Sequence, residues 1–324
     1  MYDNFELKFK QREKWLGEQI DGKGLSESIE ATIKERRGRM IAASYEIGAV
    51  MEDLRMFTVG GMMGALDIYE MALIPMILNN SDTWTELTTG LEEELELLQV
   101  FFLQIIFGVP RSTPRPALYM DSGCLLMKNR VIQKKLMFVQ HLNNLKETAL
   151  AKEIYKEQVQ NGWPGLANEA KELCADLNIP DITASYNKTS DAELKRTVKS
   201  EVFNKNEKEL KKKMEKMSKL EEIKEEKFEK KEYLKRMNVQ EARMNFRVRT
   251  RMTNCRMNFQ NDARSKEELW RCQSCLSNVE TQSHILWCPS YSSLREGKSM
   301  DSDTDMARYF MEVMKIRAKL GLTK

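Results

Sequence analysis

Apolar residues recur at intervals of three and four through most of the first 140 positions, the signature of helices that each bury one face. Ser26 is placed to cap the first helix, with Glu27 and Glu30 near its positive N-terminal end. Ile29, Ile33, Met40, Ile47 and Met51 mark its inner side. After Gly60-Gly61 a second apolar helix is predicted to run to about Ile74, where Pro75, lacking a backbone donor, disrupts or kinks it. Thr89-x-x-Glu92 has the form of a capping box. Leu91, Leu95, Leu98, Phe102 and Ile105 follow at spacings 4, 3, 4, 3 until Gly108 and Pro110 stop the helix. Past a bend at Pro110, Pro114 and Pro116, another helix turns Leu125, Ile132, Leu136 and Val139 inward. Ahead of all these, the patchy alternation of Phe5 to Gly24, closed by a glycine turn, predicts a short β-hairpin.

The pattern changes past Pro180. Residues 181–250 hold 20 basic and 14 acidic side chains, a local excess of +6 in a chain whose 52 basic and 49 acidic residues leave only +3. Leu210, Met214, Met217, Leu220 and Ile223 form an apolar stripe that drifts by Phe228. A long solvated helix laced with Glu–Lys pairs is the expectation. The alternative, a coiled-coil protein partner for this stripe, would need heptads sustained over about three or four repeats, and they do not persist. The fold class expected is therefore mostly α, in four consecutive parts. These are a small N-terminal hairpin (1–25), a helical body (26–180), a charged helical connector (181–250) and a C-terminal zinc module with a terminal helix (251–324).

Composition removes some functions and sharpens others. Val59–Leu78 is the only stretch near membrane length, and it contains Asp67, Glu70, Pro75 and three glycines, which excludes a bilayer span of about 20 apolar residues. No secretory leader precedes the first helix, so an intracellular chain is expected, with nucleus and cytoplasm both open. Six cysteines are too few for a disulfide framework, and in a reducing compartment a cluster of them suits a metal.

That cluster is Cys272-x2-Cys275-x8-His284-x3-Cys288. A C-x2-C turn presents two thiolates to one ion, and His284 and Cys288 lie one helical turn apart. Four protein ligands close a zinc coordination shell, so Zn2+ is expected in a structural role. Just before it, Arg243, Arg247, Arg249, Arg251 and Arg256 are interleaved with Phe246 and Phe259. Arginine forks suit phosphate oxygens, and the rings could stack on bases, so RNA or DNA is the expected partner. A second basic patch holds Arg111, Arg115, Lys128, Arg130, Lys134 and Lys135. Asp301-x-Asp303-x-Asp305 resembles a calcium loop, but Met306 stands where glycine is needed, and an acidic helix start over Met306–Arg317 is the better reading. His141 has no partner triad. There is no P-loop, no G-x-S-x-G and no G-x-G-x-x-G, and no catalytic residue is assigned.

Several segments, in order, resemble one family. They are "KWLGEQI", "ALIPMILNNSDTW", "IIFGVPRSTPRPALYMDSG", "RMNFRVRTRM" and "LWRCQSCLSNVETQSHILWCPSY", followed by "LRE" and "DSDTDMARYF". Together they are similar to the C-terminal part of a non-LTR retrotransposon reverse transcriptase of the arthropod endonuclease–reverse transcriptase type. The resemblance covers nearly the whole chain, and the Cys-Cys-His-Cys segment is its most specific piece. It implies that Lys14–Gly17 supports the primer end at the close of a palm, that 91–135 falls in a thumb tracking template and primer, and that Cys272, Cys275, His284 and Cys288 are the terminal metal ligands. The family role it implies is RNA-directed DNA synthesis by target-primed reverse transcription, with Mg2+ in the intact enzyme. The resemblance places the catalytic aspartate pair ahead of Lys14, and this sequence contains no adjacent Asp-Asp. A transposable-element fragment, inactive alone as a polymerase, is the resulting expectation.

Overall fold

A computed structural model describes residues 12–15, 18–21, 24–54, 58–85, 87–183, 190–255 and 270–321. The described chain is mostly helical. In order come α1 (Leu25–Leu54), α2 (Gly61–Ile68), α3 (Ile74–Ile77), α4 (Thr89–Phe107), α5 (Arg115–Ser122), α6 (Met127–Asn144) and α7 (Leu150–Asn161). Then follow α8 (Leu166–Asp176), α9 (Asp191–Met214), α10 (Tyr233–Arg236), α11 (Val239–Arg249), α12 (Gln282–Trp287) and α13 (Asp303–Lys319).

The expected N-terminal hairpin is not supported as a structural element. Four backbone positions of Arg12–Trp15 pair antiparallel with Glu18–Asp21, but the turn residues 16 and 17 lie outside the described residues. A two-stranded pairing of this length is marginal without a third strand or a covering helix.

The helical periodicity locates α1, α4 and α6 well. Ile29, Ile33, Met40 and Met51 are buried along α1, and Leu91, Leu95, Leu98 and Phe102 along α4. The cap of α4 lies one residue earlier than expected. The hydroxyl of Thr88, not Thr89, accepts from the backbone N–H of Leu91 at 3.3 Å. Pro75 does not end its helix. Ahead of it the chain widens into a π-turn over Tyr69–Leu73, and the helix resumes through Ile77. A π-turn changes the donor–acceptor register, one way for a helix to pass a residue without an N–H.

The chain divides into two compact units, each discontinuous in sequence, rather than into the four consecutive parts expected. One comprises 1–43, 69–100 and 125–209. Its core gathers Leu136 and Val139 of α6, Tyr155 of α7, Ala167, Ala170 and Cys174 of α8, and Leu194, Val198 and Val202 of α9. Buried Asn206 receives the Leu126 N–H at 2.8 Å and the Asn129 amide at 3.0 Å, fixing the start of α6.

The other unit comprises 44–68, 101–124 and 210–324. Here Phe107 and Phe246 bring their ring centroids to 4.4 Å. Gly123, at φ +64°, closes α5 where an added Cβ would lie 2.6 Å from the backbone nitrogen of Lys230. Its second core joins Val248 of α11, Cys272, Ile285 of α12, Cys288 and Tyr291 to Tyr309, Phe310 and Val313 of α13.

The charged segment is neither one helix nor a solvated connector. α9 ends at Met214, and Ser218–Leu220 is a short 3-10 turn. Leu210, Met214, Leu220, Ile223 and Phe228 are buried within the chain itself, so the stripe is not presented to a coiled-coil partner. Asp303 and Asp305 occupy the first turn of α13, whose cap is Ser302, as an acidic helix start requires. Among the described residues, no helix is long and apolar enough to cross a membrane.

Candidate metal centre and the arginine stretch

The C-terminal segment brings four distant ligands together by two short pieces of backbone. Arg271 bridges Val279 antiparallel, and the N–H of Cys272 donates to the Asn278 carbonyl at 2.7 Å. Within that loop the Leu276 N–H donates to the Cys272 carbonyl at 2.8 Å, folding the C-x2-C turn so that both thiols face inward. Thr281 then caps α12, its hydroxyl accepting from the His284 N–H at 2.9 Å. This places His284 in the first turn and Cys288 directly after the last.

The ligand atoms of Cys272, Cys275, His284 and Cys288 all lie within 4.8 Å of one another, and this group can hold a metal ion. Cys272 and Cys288 Sγ are 3.8 Å apart, and Cys275 Sγ is 3.3 Å from His284 Nε2. Burial, with the neighbouring Cys272 adding to it, pushes the Cys288 thiol up to about 11. Burial acts the same way on Cys275, but the Ser277 backbone N–H and the neighbouring thiols outweigh it and hold that group at about 6. A divalent cation among the three thiols would hold them as thiolates.

Around the cluster the carbonyls are engaged. Tyr309 donates to the Ile285 carbonyl at 2.6 Å, and Arg295 donates to those of Leu286 and Cys288 at 3.0 and 3.1 Å. Arg317 of α13 reaches Glu280 at 2.7 Å, and the two side chains are 2% and 0% exposed. This pair was not legible in the sequence. An acid and a base 37 positions apart carry no periodic mark, and only folding shows that they are buried together.

The arginine stretch is an internal scaffold, which corrects the expectation that its forks are open to phosphate. Arg243 pairs with Glu52 and donates to the carbonyls of Ile105 and Ile106. Arg247 donates to the Gly108 carbonyl. Arg249 holds Asp121 at 3.2 Å and Glu226 at 2.7 Å, while the Tyr233 hydroxyl donates to the same Asp121 at 2.7 Å. Burial alone would lower the Arg249 pKa, but the two carboxylates hold it above the ordinary value. Arg251 is the exception, exposed and, among the described residues, paired with the exposed Glu222. Phe246 is buried against Phe107 and cannot stack on a base. Arg256 and Phe259 lie outside the described residues.

The second basic patch is divided between the units. In one, Arg130 forms a two-pronged bond with Glu70 at 2.6 and 2.7 Å. Lys135 meets Glu169 at 2.6 Å, Lys128 meets Glu209 at 2.8 Å, and Lys134 donates to the Leu78 carbonyl. In the other, Arg111 and Arg115 are exposed. His141 is exposed near the end of α6 and stacks on Phe138.

No protein-family model, curated protein or solved structure matches the chain. Its functional reading rests on its own residues.

Proposed function

We propose that this chain is a nucleic-acid-binding, C-terminal part of a reverse transcriptase of the non-LTR retrotransposon class, closed by a structural zinc site. One observation carries the reading. The four residues that the resemblance marks as terminal metal ligands converge at distances that suit zinc. Thiolates at about 2.3 Å from zinc in a tetrahedron lie about 3.8 Å from each other, and the Cys272–Cys288 separation is 3.8 Å. Three thiolates and one imidazole leave no open position, so the ion would supply folding free energy and no reaction chemistry. The family reaction, RNA-directed DNA synthesis, is proposed for the intact enzyme with Mg2+ and not for this chain alone.

Phosphate binding falls to the exposed cations. Arg111 and Arg251 are the members of the arginine set best able to exchange their present surroundings for a phosphate, because an exposed ion pair such as Arg251–Glu222 is worth little. Binding measured over a range of salt, on unrelated RNA and DNA oligonucleotides, tests this. The expected result is a steep fall of log K with log salt, flattened by up to about two units in the Arg111→Ala, Arg251→Ala double variant. A zero salt slope, or no binding at low salt, would refute it.

A further inference from the structure

Two large apolar side chains of the metal-bearing segment stand in solvent. Leu276 directly follows the ligand Cys275 and is 68% exposed, and Trp287 directly precedes the ligand Cys288 and is 64% exposed. Leu276 also has φ +60°, a left-handed conformation that glycine adopts without strain and leucine does not. Backbone strain and apolar exposure thus fall on one residue, and a glycine there would remove both.

Trp287 lies three residues beyond His284 on α12, on the same face, and His284 Nε2 faces Cys275 Sγ at 3.3 Å. Leu276 thus adjoins Cys275 in sequence and Trp287 shares a face of α12 with His284, and these two ligands face each other. The Arg295 guanidinium lies 5.8 Å from the Trp287 ring centroid and is itself fixed by the Leu286 and Cys288 carbonyls. Exposed Arg271 adjoins the ligand Cys272. The exposed indole, with a fixed guanidinium over one face, suits a ligand that joins a flat aromatic ring to a negative charge, the ring for Trp287 and the charge for Arg295.

We propose that Leu276 and Trp287 form a stacking platform for an unpaired base of single-stranded nucleic acid. This rests on the nucleic-acid reading above and adds to it the strand state and the contacting residues. Every base offers a π-face, so the platform is tolerant of sequence. Bases within a duplex are already stacked on one another, so it selects single strands.

The experiment compares the full zinc-replete chain with Trp287→Ala, Trp287→Phe and Leu276→Gly, on an unstructured oligonucleotide and on the duplex of the same sequence. Trp287→Ala should weaken single-strand binding roughly tenfold while duplex affinity and salt slope stay unchanged. Trp287→Phe should retain most of the affinity. Leu276→Gly should keep or raise Tm and still weaken single-strand binding, a combination that a merely structural leucine would not give. Single-strand affinity equal to wild type in both Trp287→Ala and Leu276→Gly would overturn the platform and leave nucleic-acid binding standing. Equal losses on single strand and duplex, or loss of self-association in sedimentation with binding intact, would overturn it too. A wild-type chain that binds neither oligonucleotide would defeat the underlying reading as well.

Discussion

Asp121 has no exposed surface, and its carboxylate is tolerable there because Arg249 and Tyr233 both donate to it. Removing one partner of such a buried pair leaves the other charge uncompensated, which costs about 3–5 kcal/mol. Arg249→Ala, which leaves the Asp121 carboxylate buried without its cation, should therefore destabilise the fold by that amount, whereas Arg251→Ala, which breaks an exposed pair, should cost less than about 1 kcal/mol. Urea unfolding followed by circular dichroism separates the two cases, and equal losses would remove Asp121 from its central place. Glu226, on the same arginine, adds a dependence on pH. Burial would raise its carboxyl pKa, but the hydrogen bonds from Arg249 and Lys231 outweigh it and hold the group below its ordinary value. A carboxylate depressed in the folded state contributes stability above its unfolded pKa of about 4.3 and loses it as pH falls through the folded value. Between about pH 6 and about pH 3 the wild-type unfolding midpoint should fall more steeply than that of Glu226→Gln. Parallel curves would contradict the assignment.

Among the elements, what was legible in the sequence was the spacing of apolar positions in α1, α4 and α6 and the ligand spacing of the metal segment. Both are local patterns that survive whatever the rest of the chain does. The charged segment misled because its composition is solvated while its burial is not. Leu194, Val198, Val202, Asn206, Leu210 and Met214 are all buried at strict four-residue intervals, a stripe one residue wide among lysines and glutamates. Only its last part reads as apolar, since Asn206 breaks the run and the flanking charges dilute the rest. The arginines of α11 misled for a related reason. Density of charge says nothing of partners, and Glu52, Asp121 and Glu226 are far away in sequence. At the C-terminus, Cys272 and Cys288 share a core with Tyr309, Phe310 and Val313 of α13, and the Glu280–Arg317 pair adds a second tie. Chelation should accordingly raise amide exchange across 271–295 and along α13, while α6, α7 and α8, with their own core, stay protected. Uniform exchange with and without chelator would show that the ion does not support this segment.

At the scale of the whole molecule, Arg243, Arg247 and Arg249 tie helical segments of one unit together, and one small Cys–His cluster organises the C-terminal end. If the C-terminal segment is held by a closed zinc site, the ligand set must account for the metal content residue by residue. The most direct measurement is elemental analysis of the purified full chain beside its Cys272→Ser and His284→Ala variants, after metal-replete expression and exhaustive dialysis. Close to one zinc per wild-type chain is expected, with a marked loss in both variants, because a tetrahedral site that loses one ligand loses most of its affinity. Less than about a tenth of an equivalent in the wild type, or full occupancy in both variants, would contradict the closed zinc site.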